Sequence, residues 1–304
     1  MAPAAPVRRV VALAPDVTEL AFALGAGNQL VAVPAAADYP AAARALRRVD
    51  PGDVEAILAE RPDLVLATTA GSDPRAVERL RSLGIPVFTA DVTSFVRLAE
   101  ACRLAGRAVG RSDQGERVAD AISARCERLA RRAAPLPPRA ALFVVWWDPL
   151  IAAAPGTFHD DLLRRAALDN LASAASGRYP RLDPETLLDR RLEVVVAPDE
   201  RDVRAGYESV LRSPAGARLA SGATRVLWLP ADAANRPGPR LPDALEALVA
   251  AREKEETGSG VNGEGSGPHP PDDGKAGPGV RGPGSDPRPP NDVDATPQSA
   301  RRTE

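Results

Sequence analysis

The chain has 304 residues, 44% of them hydrophobic, which is enough material for two modest cores. A net charge of −2, from 39 basic and 41 acidic residues, supplies no electrostatic ground for binding nucleic acid. Two cysteines and two histidines exclude a disulfide scaffold and a metal site built from several thiolate or imidazole ligands, although carboxylates alone could hold a hard cation.

The first elements alternate between short apolar runs and amphipathic stretches. Residues 7–13 read as a buried strand, and the helix over 16–24 is expected to open on an Asp16–Glu19 capping box and close at Gly25. Strands follow over 30–33, 64–67 and 86–89, with helices over 53–61, 73–83 and 93–109. Residues 112–134 then form one uninterrupted helix, with Asp113 and Glu116 as its capping box and Pro135 as its stop. Val118, Ile122, Cys126, Leu129 and Ala133 recur at steps of three and four, so they share one face of a rod roughly 30 Å long.

Beyond the rod the alternation restarts. Strands are expected over 139–146, 193–197 and 225–229, and helices over 157–165, 184–190, 204–211 and 242–251. Asp50-Pro51 and Asp183-Pro184 each precede a short helix and a buried strand, which points to an internal duplication. The expected fold class is α/β: two similar lobes with mainly parallel sheets, 1–111 and 135–251, joined by the backbone helix 112–134. Residues 252–304 contain no aromatic, Leu, Ile or Met, and their Gly/Pro/Ser composition predicts a disordered tail. No apolar run approaches the ~20 residues of a membrane span, and the N-terminus lacks a signal-peptide core. The chain as written is therefore expected to be cytoplasmic.

Several motifs carry little chemistry. Gly106 to Ser112 imitates a phosphate loop but is one residue short, has Arg for Lys and joins two helices instead of following a strand. Gly25-Ala26-Gly27 follows a helix and is a C-cap turn. His159-Asp160-Asp161 falls in a first helical turn, where carboxylates favour the macrodipole. Cys102 and Cys126 are expected to be buried free thiols. More informative is the placement of Tyr39, Trp146, Trp147, Phe158 and Tyr179 at strand ends or loops, because ligands of open α/β sheets sit outside the strands' carboxyl ends. The helix starts at Asp16 and Thr157 should point backbone amides at the same crevice.

The ordered set VVALAP (10–15), TELAFALG (18–25), Asp38-Tyr39-Pro40, the segment 55–66 and LGIPV (83–87) resembles the first lobe of the cobalamin and ferric-siderophore receptors of ABC importers. Trp146, Asp148-Pro149, PGTF (155–158), DDLL (160–163), RYPRL (178–182) and Pro198-Asp199-Glu200 resemble the second lobe. The resemblance implies two lobes on a helical backbone, a monomer with no covalent cofactor, and non-enzymatic binding of a corrinoid, ferric siderophore or haem. It implies a cleft lined by Pro15, Asp16, Tyr39, Thr68, Trp146, Trp147, Phe158 and Tyr179, and a permease partner docked through Asp73 and Glu200. Thr68-Thr69 stand where cobalamin receptors carry an aromatic just after the PDLVLA strand, and Asp16 where a neutral Ser is usual. The rival readings are a cytoplasmic carrier or sensor without a permease, an enzyme using Asp16, His159 or Asp160 as acid or base, and an interaction module acting through the tail.

Overall fold

The computed structural model describes residues 6–257. The first lobe runs β1 (Val10–Ala12), α1 (Pro15–Ala23), β2 (Leu30–Val33), β3 (Arg47–Arg48), α2 (Val54–Ala59), β4 (Leu64–Thr68), α3 (Pro74–Ser82), β5 (Val87–Ala90) and α4 (Phe95–Ala108). Its sheet has the order β3-β2-β1-β4-β5 and is parallel throughout, with Val11 opposite Val65 and Leu66 opposite Phe88. All residues of β1 and β4 are buried, as expected for strands covered by helices on both faces.

The rod α5 (Ser112–Ala133) leads into the second lobe: β6 (Arg139–Trp147), β7 (Leu150–Ala152), α6 (Phe158–Arg165), β8 (Leu168–Asn170), β9 (Val194–Asp199), α7 (Arg201–Leu211), α8 (Ala217–Ala220), β10 (Arg225–Pro230), α9 (Ala231–Asn235) and α10 (Leu241–Glu256). The order is β10-β9-β6-β7, with β8 paired to the start of β6 and β7 antiparallel to its end. The duplicated Asp-Pro segments feed β4 and β9, each lying between two parallel neighbours. The second copy is looser: residues 184–188 form a 3-10 turn in place of the helix expected over 184–190.

Both expected capping boxes are replaced by longer-range contacts. α1 starts at Pro15 with Ala14 as its uncapped N-cap, and Glu19 is drawn across to the second lobe. α5 starts after Arg111, and Glu116 accepts from Arg103 Nε of α4 at 2.6 Å.

The rod's buried stripe is Gly115, Ala119, Ile122, Cys126, Leu129 and Ala133. From Ala119 onward these residues belong to one continuous core that also takes in Leu20 and Ala99 of the first lobe and Phe143, Leu162 and Leu245 of the second. The lobes are therefore fused through the rod, and rotating one against the other would expose core surface. A polar latch adds to this, for the backbone N–H of Phe95 in α4 donates to Asp161 Oδ2 of α6 at 2.9 Å. Asp161 is buried and also accepts from Arg164 and Arg165. The expected tail boundary moves as well. α10 continues through Arg252, which is fully buried and donates to the carbonyl of Pro137 at 2.7 Å. The remainder of the expected tail, 258–304, lies outside the described residues.

Where α4 meets α5 the backbones touch: a Cβ added to Gly115 would lie 2.9 Å from the carbonyl oxygen of Cys102 and 3.2 Å from Cα of Gly106. A side chain there forces the rod off the lobe. Gly115→Ala is expected to cost about 1–3 kcal/mol in urea unfolding; an unchanged midpoint would mean the helices do not approach this closely.

Candidate functional site

Several of the residues expected to line the cleft lie at or just beyond the carboxyl ends of the parallel strands. In the first lobe β1 leads to Pro15 and Asp16, β2 to the loop carrying Asp38 and Tyr39, and β4 ends at Thr68. In the second, β6 ends at Trp146 and Trp147, and the segment after β10 crosses back toward the first lobe.

The eight expected cleft residues divide by exposure. Tyr39 is 47% exposed, and Pro15, Trp146 and Tyr179 are partly exposed. Asp16, Thr68, Trp147 and Phe158 are each no more than 5% exposed. A register shift in β6 between Val144 and Trp146 accompanies the separation of the paired tryptophans. Trp147 packs beneath α7, with its ring 5.3 Å from that of Tyr207 and against Gly206, so it belongs to the second-lobe core. Trp146 donates its indole N–H to the carbonyl of Asp148 at 2.8 Å, which fixes the partly buried ring.

Phe158 stacks on His159 at 3.9 Å, and His159 is closed on both nitrogens. Nε2 lies 3.0 Å from the carbonyl of Ala234, which can only accept, so Nε2 carries the proton and Nδ1 accepts from the Tyr179 hydroxyl at 3.4 Å. Burial pushes the imidazole pKa down to about 3, keeping it neutral. Tyr179 is thus held by a buried histidine while part of its ring meets solvent. The α6 start is satisfied internally, since Thr157 Oγ accepts from the Asp160 amide. Asp160 accepts from Asn170 at 2.9 Å and pairs with Arg164.

Chain order gave no signal for the cluster at the edge of the gap. Arg240 donates to both oxygens of Glu19, at 2.8 and 2.6 Å, and its guanidinium lies 4.1 Å from the Tyr39 ring centroid. Arg236 donates to Glu19 at 3.1 Å and to Asp38 at 2.8 Å. Asp232 completes the group beside both arginines. Between the two arginines Gly238 packs on the backbone of Asp16, so the 236–240 segment covers the α1 start where a free anion-binding amide was expected. Among the described residues no group of three or more His, Cys, Asp and Glu side chains is placed to hold a metal ion.

A family model described as "Periplasmic binding protein" matches residues 10–231. The chain belongs to the periplasmic binding protein family. It is 29% identical over 249 residues to the vitamin B12-binding protein of Yersinia pestis (strain Pestoides F), covering 81% of this chain and 86% of that one. The periplasmic vitamin B12-binding protein BtuF of Vibrio cholerae superposes with a TM-score of 0.69 at 26% identity, over 83% of this chain and 98% of that one. The periplasmic heme-binding protein RhuT from Roseiflexus sp. RS-1 gives 0.68 at 25%, over 81% and 99%. Two α/β lobes on a helical backbone are the shared architecture.

In this member of the periplasmic binding proteins Asp73 and Glu200 are both exposed at helix starts. Asp73 caps α3 by accepting from the Arg75 amide, and Glu200 accepts from Asn235 at 2.9 Å. Asp199 is paired with Arg204. Both cysteines are buried free thiols whose pKa burial pushes up to about 12. No described helix is long and apolar enough to cross a membrane.

Asp16 yields a pH prediction. Burial raises its pKa from 3.8 to about 6, against the opposing bonds from the Val17 amide and the Thr68 hydroxyl. The fold therefore prefers neutral Asp16: the destabilisation is complete above pH 6 and is relieved as pH falls through the window toward 3.8. Asp16→Asn is expected to raise stability by about 2–3 kcal/mol near pH 8, an advantage that vanishes near pH 4. Thermal melts of both proteins across that range check it; a pH-independent difference contradicts it.

Proposed function

We propose that this chain is a non-enzymatic receptor that holds a metal-containing chelate, a corrinoid foremost, in the interlobe cleft. The observation that carries the reading is that each lobe leaves aromatic surface uncovered in or beside the loops that follow its strands, Tyr39 in the first and the partly exposed Trp146 and Tyr179 in the second. Each is tied down, by Arg240, by the Asp148 carbonyl and by His159 respectively. Rigid aromatic faces suit a macrocycle, since each can bury ~150 to 250 Å² with little ordering cost. Pro15 and the rim of the Asp38-Tyr39 loop supply the first-lobe wall, while Asp16, Thr68, Trp147 and Phe158 support the cleft from beneath.

Similarity to a curated vitamin B12-binding protein and to BtuF favours a corrinoid, and the haem-binding neighbours keep a planar chelate as the common theme. The same family suggests that the chain serves as the substrate-binding component of an ABC importer, with Asp73 and Glu200 as the docking acids, one on each lobe. An acid–base role for the second-lobe candidates finds no support: His159 is neutral and enclosed, and Asp160 is committed to Asn170 and Arg164.

The test is tryptophan fluorescence titrated in parallel with cyanocobalamin, haem and a ferric hydroxamate. Saturable quenching by one of them, reduced at least about tenfold in affinity by Trp146→Ala, is expected. No quenching by any of the three, after correction for ligand absorbance, would overturn the assignment.

A further inference from the structure

Resting on the chelate-binding reading above, we infer that the Glu19–Arg236–Arg240 cluster makes the cleft select chelates without exposed carboxylates, neutral or cationic, against anionic ones. Two arginines at a ligand cleft would ordinarily attract carboxylates. Here they are already occupied. Glu19 accepts from Arg240 through both oxygens and from Arg236, with a side chain only 2% exposed. Asp38 accepts from Arg236 at 2.8 Å, and Asp232 lies 3.2 Å from Arg236 and 3.5 Å from Arg240.

Three carboxylates against two guanidiniums leave the cluster one negative charge in excess. An incoming carboxylate could take an arginine only by displacing Glu19, which would then be buried without a partner, or by entering beside Asp38 and Asp232 as a like charge. Neither cost falls on a ligand whose rim carries amides, because amides can accept from or donate to the same groups without adding charge. Arg240 is further held against Tyr39, so the aromatic wall and the charge filter are one unit. The discriminating residue is Glu19, and Asp38 and Asp232 at the rim, 45% and 47% exposed in their side chains, reinforce it.

The test uses two pairs of probes that differ in carboxylates alone, measured by equilibrium dialysis against the full chain. One pair is cyanocobalamin and its acid-hydrolysed carboxylate derivatives; the other is haemin dimethyl ester and haemin. In whichever pair binds, the carboxylate-free member is expected to be tighter by about tenfold or more, the size of a rejected like charge. Glu19→Gln, which removes the excess negative charge and leaves two carboxylates against two guanidiniums, should narrow that ratio. Asp38→Asn, on the exposed rim, should narrow it in the same direction and does not depend on how the buried substitution folds. Equal or tighter binding of the carboxylated member by the unsubstituted protein overturns the charge filter while leaving the receptor reading intact. Binding of neither pair overturns the corrinoid and haem assignments and the filter with them, while the ferric hydroxamate titration above decides the receptor reading separately.

Discussion

The rod's apolar stripe is the constraint from which the rest follows. Ala119, Ile122, Cys126, Leu129 and Ala133 bury against both lobes at once, and the contact of Gly106 with Gly115 lets α4 lie directly on the rod. Because the core passes through this helix without a break, the lobes cannot separate without exposing apolar surface, and the Asp161–Phe95 latch must break as well. The proposed cleft between lobes fused in this way would be largely preformed. On that reading its affinity comes from what its walls already present, not from a large closure.

What the walls present is a small set of braced aromatics above buried polar groups. Each half-exposed ring rests on a partner that is itself fixed, and the deeper residues Asp16 and Phe158 are covered from the other lobe or by their own helix. The 236–240 segment joins the two functions. It bridges the gap mechanically through Glu19 and Asp38, and it sets the charge seen by anything entering beside Tyr39. A buried acid such as Glu19 costs stability unless paired, so its two guanidinium partners are a requirement of the fold before they are a property of the site.

The sheets and the rod were legible because their signals are periodic and local: fully apolar three- to five-residue runs, and a heptad-like stripe ended by a proline. What eluded the sequence lay in long-range pairings. Glu19 has the spacing of a capping box, but its partners Arg236 and Arg240 come more than two hundred residues later, and tertiary pairing outweighed the local cap. Trp146 and Trp147 look equivalent as neighbours, yet successive residues of a strand point to opposite faces, and β6 leaves Trp146 partly exposed while Trp147 is buried under α7. Arg252 reads as the start of a polar tail, whereas its bond to the Pro137 carbonyl makes it part of the last helix's anchorage. The family resemblance carried the architecture correctly; residue roles at the cleft depend on which side chains the other lobe covers.

The most direct measurement is hydrogen exchange of the full chain with and without saturating cyanocobalamin. A preformed interlobe site predicts added protection confined to the segments around 36–40, 146–149, 177–180 and 232–240, with the rod unchanged. Protection spread along α5, or found only on surfaces remote from those segments, would contradict the placement of the ligand between the lobes.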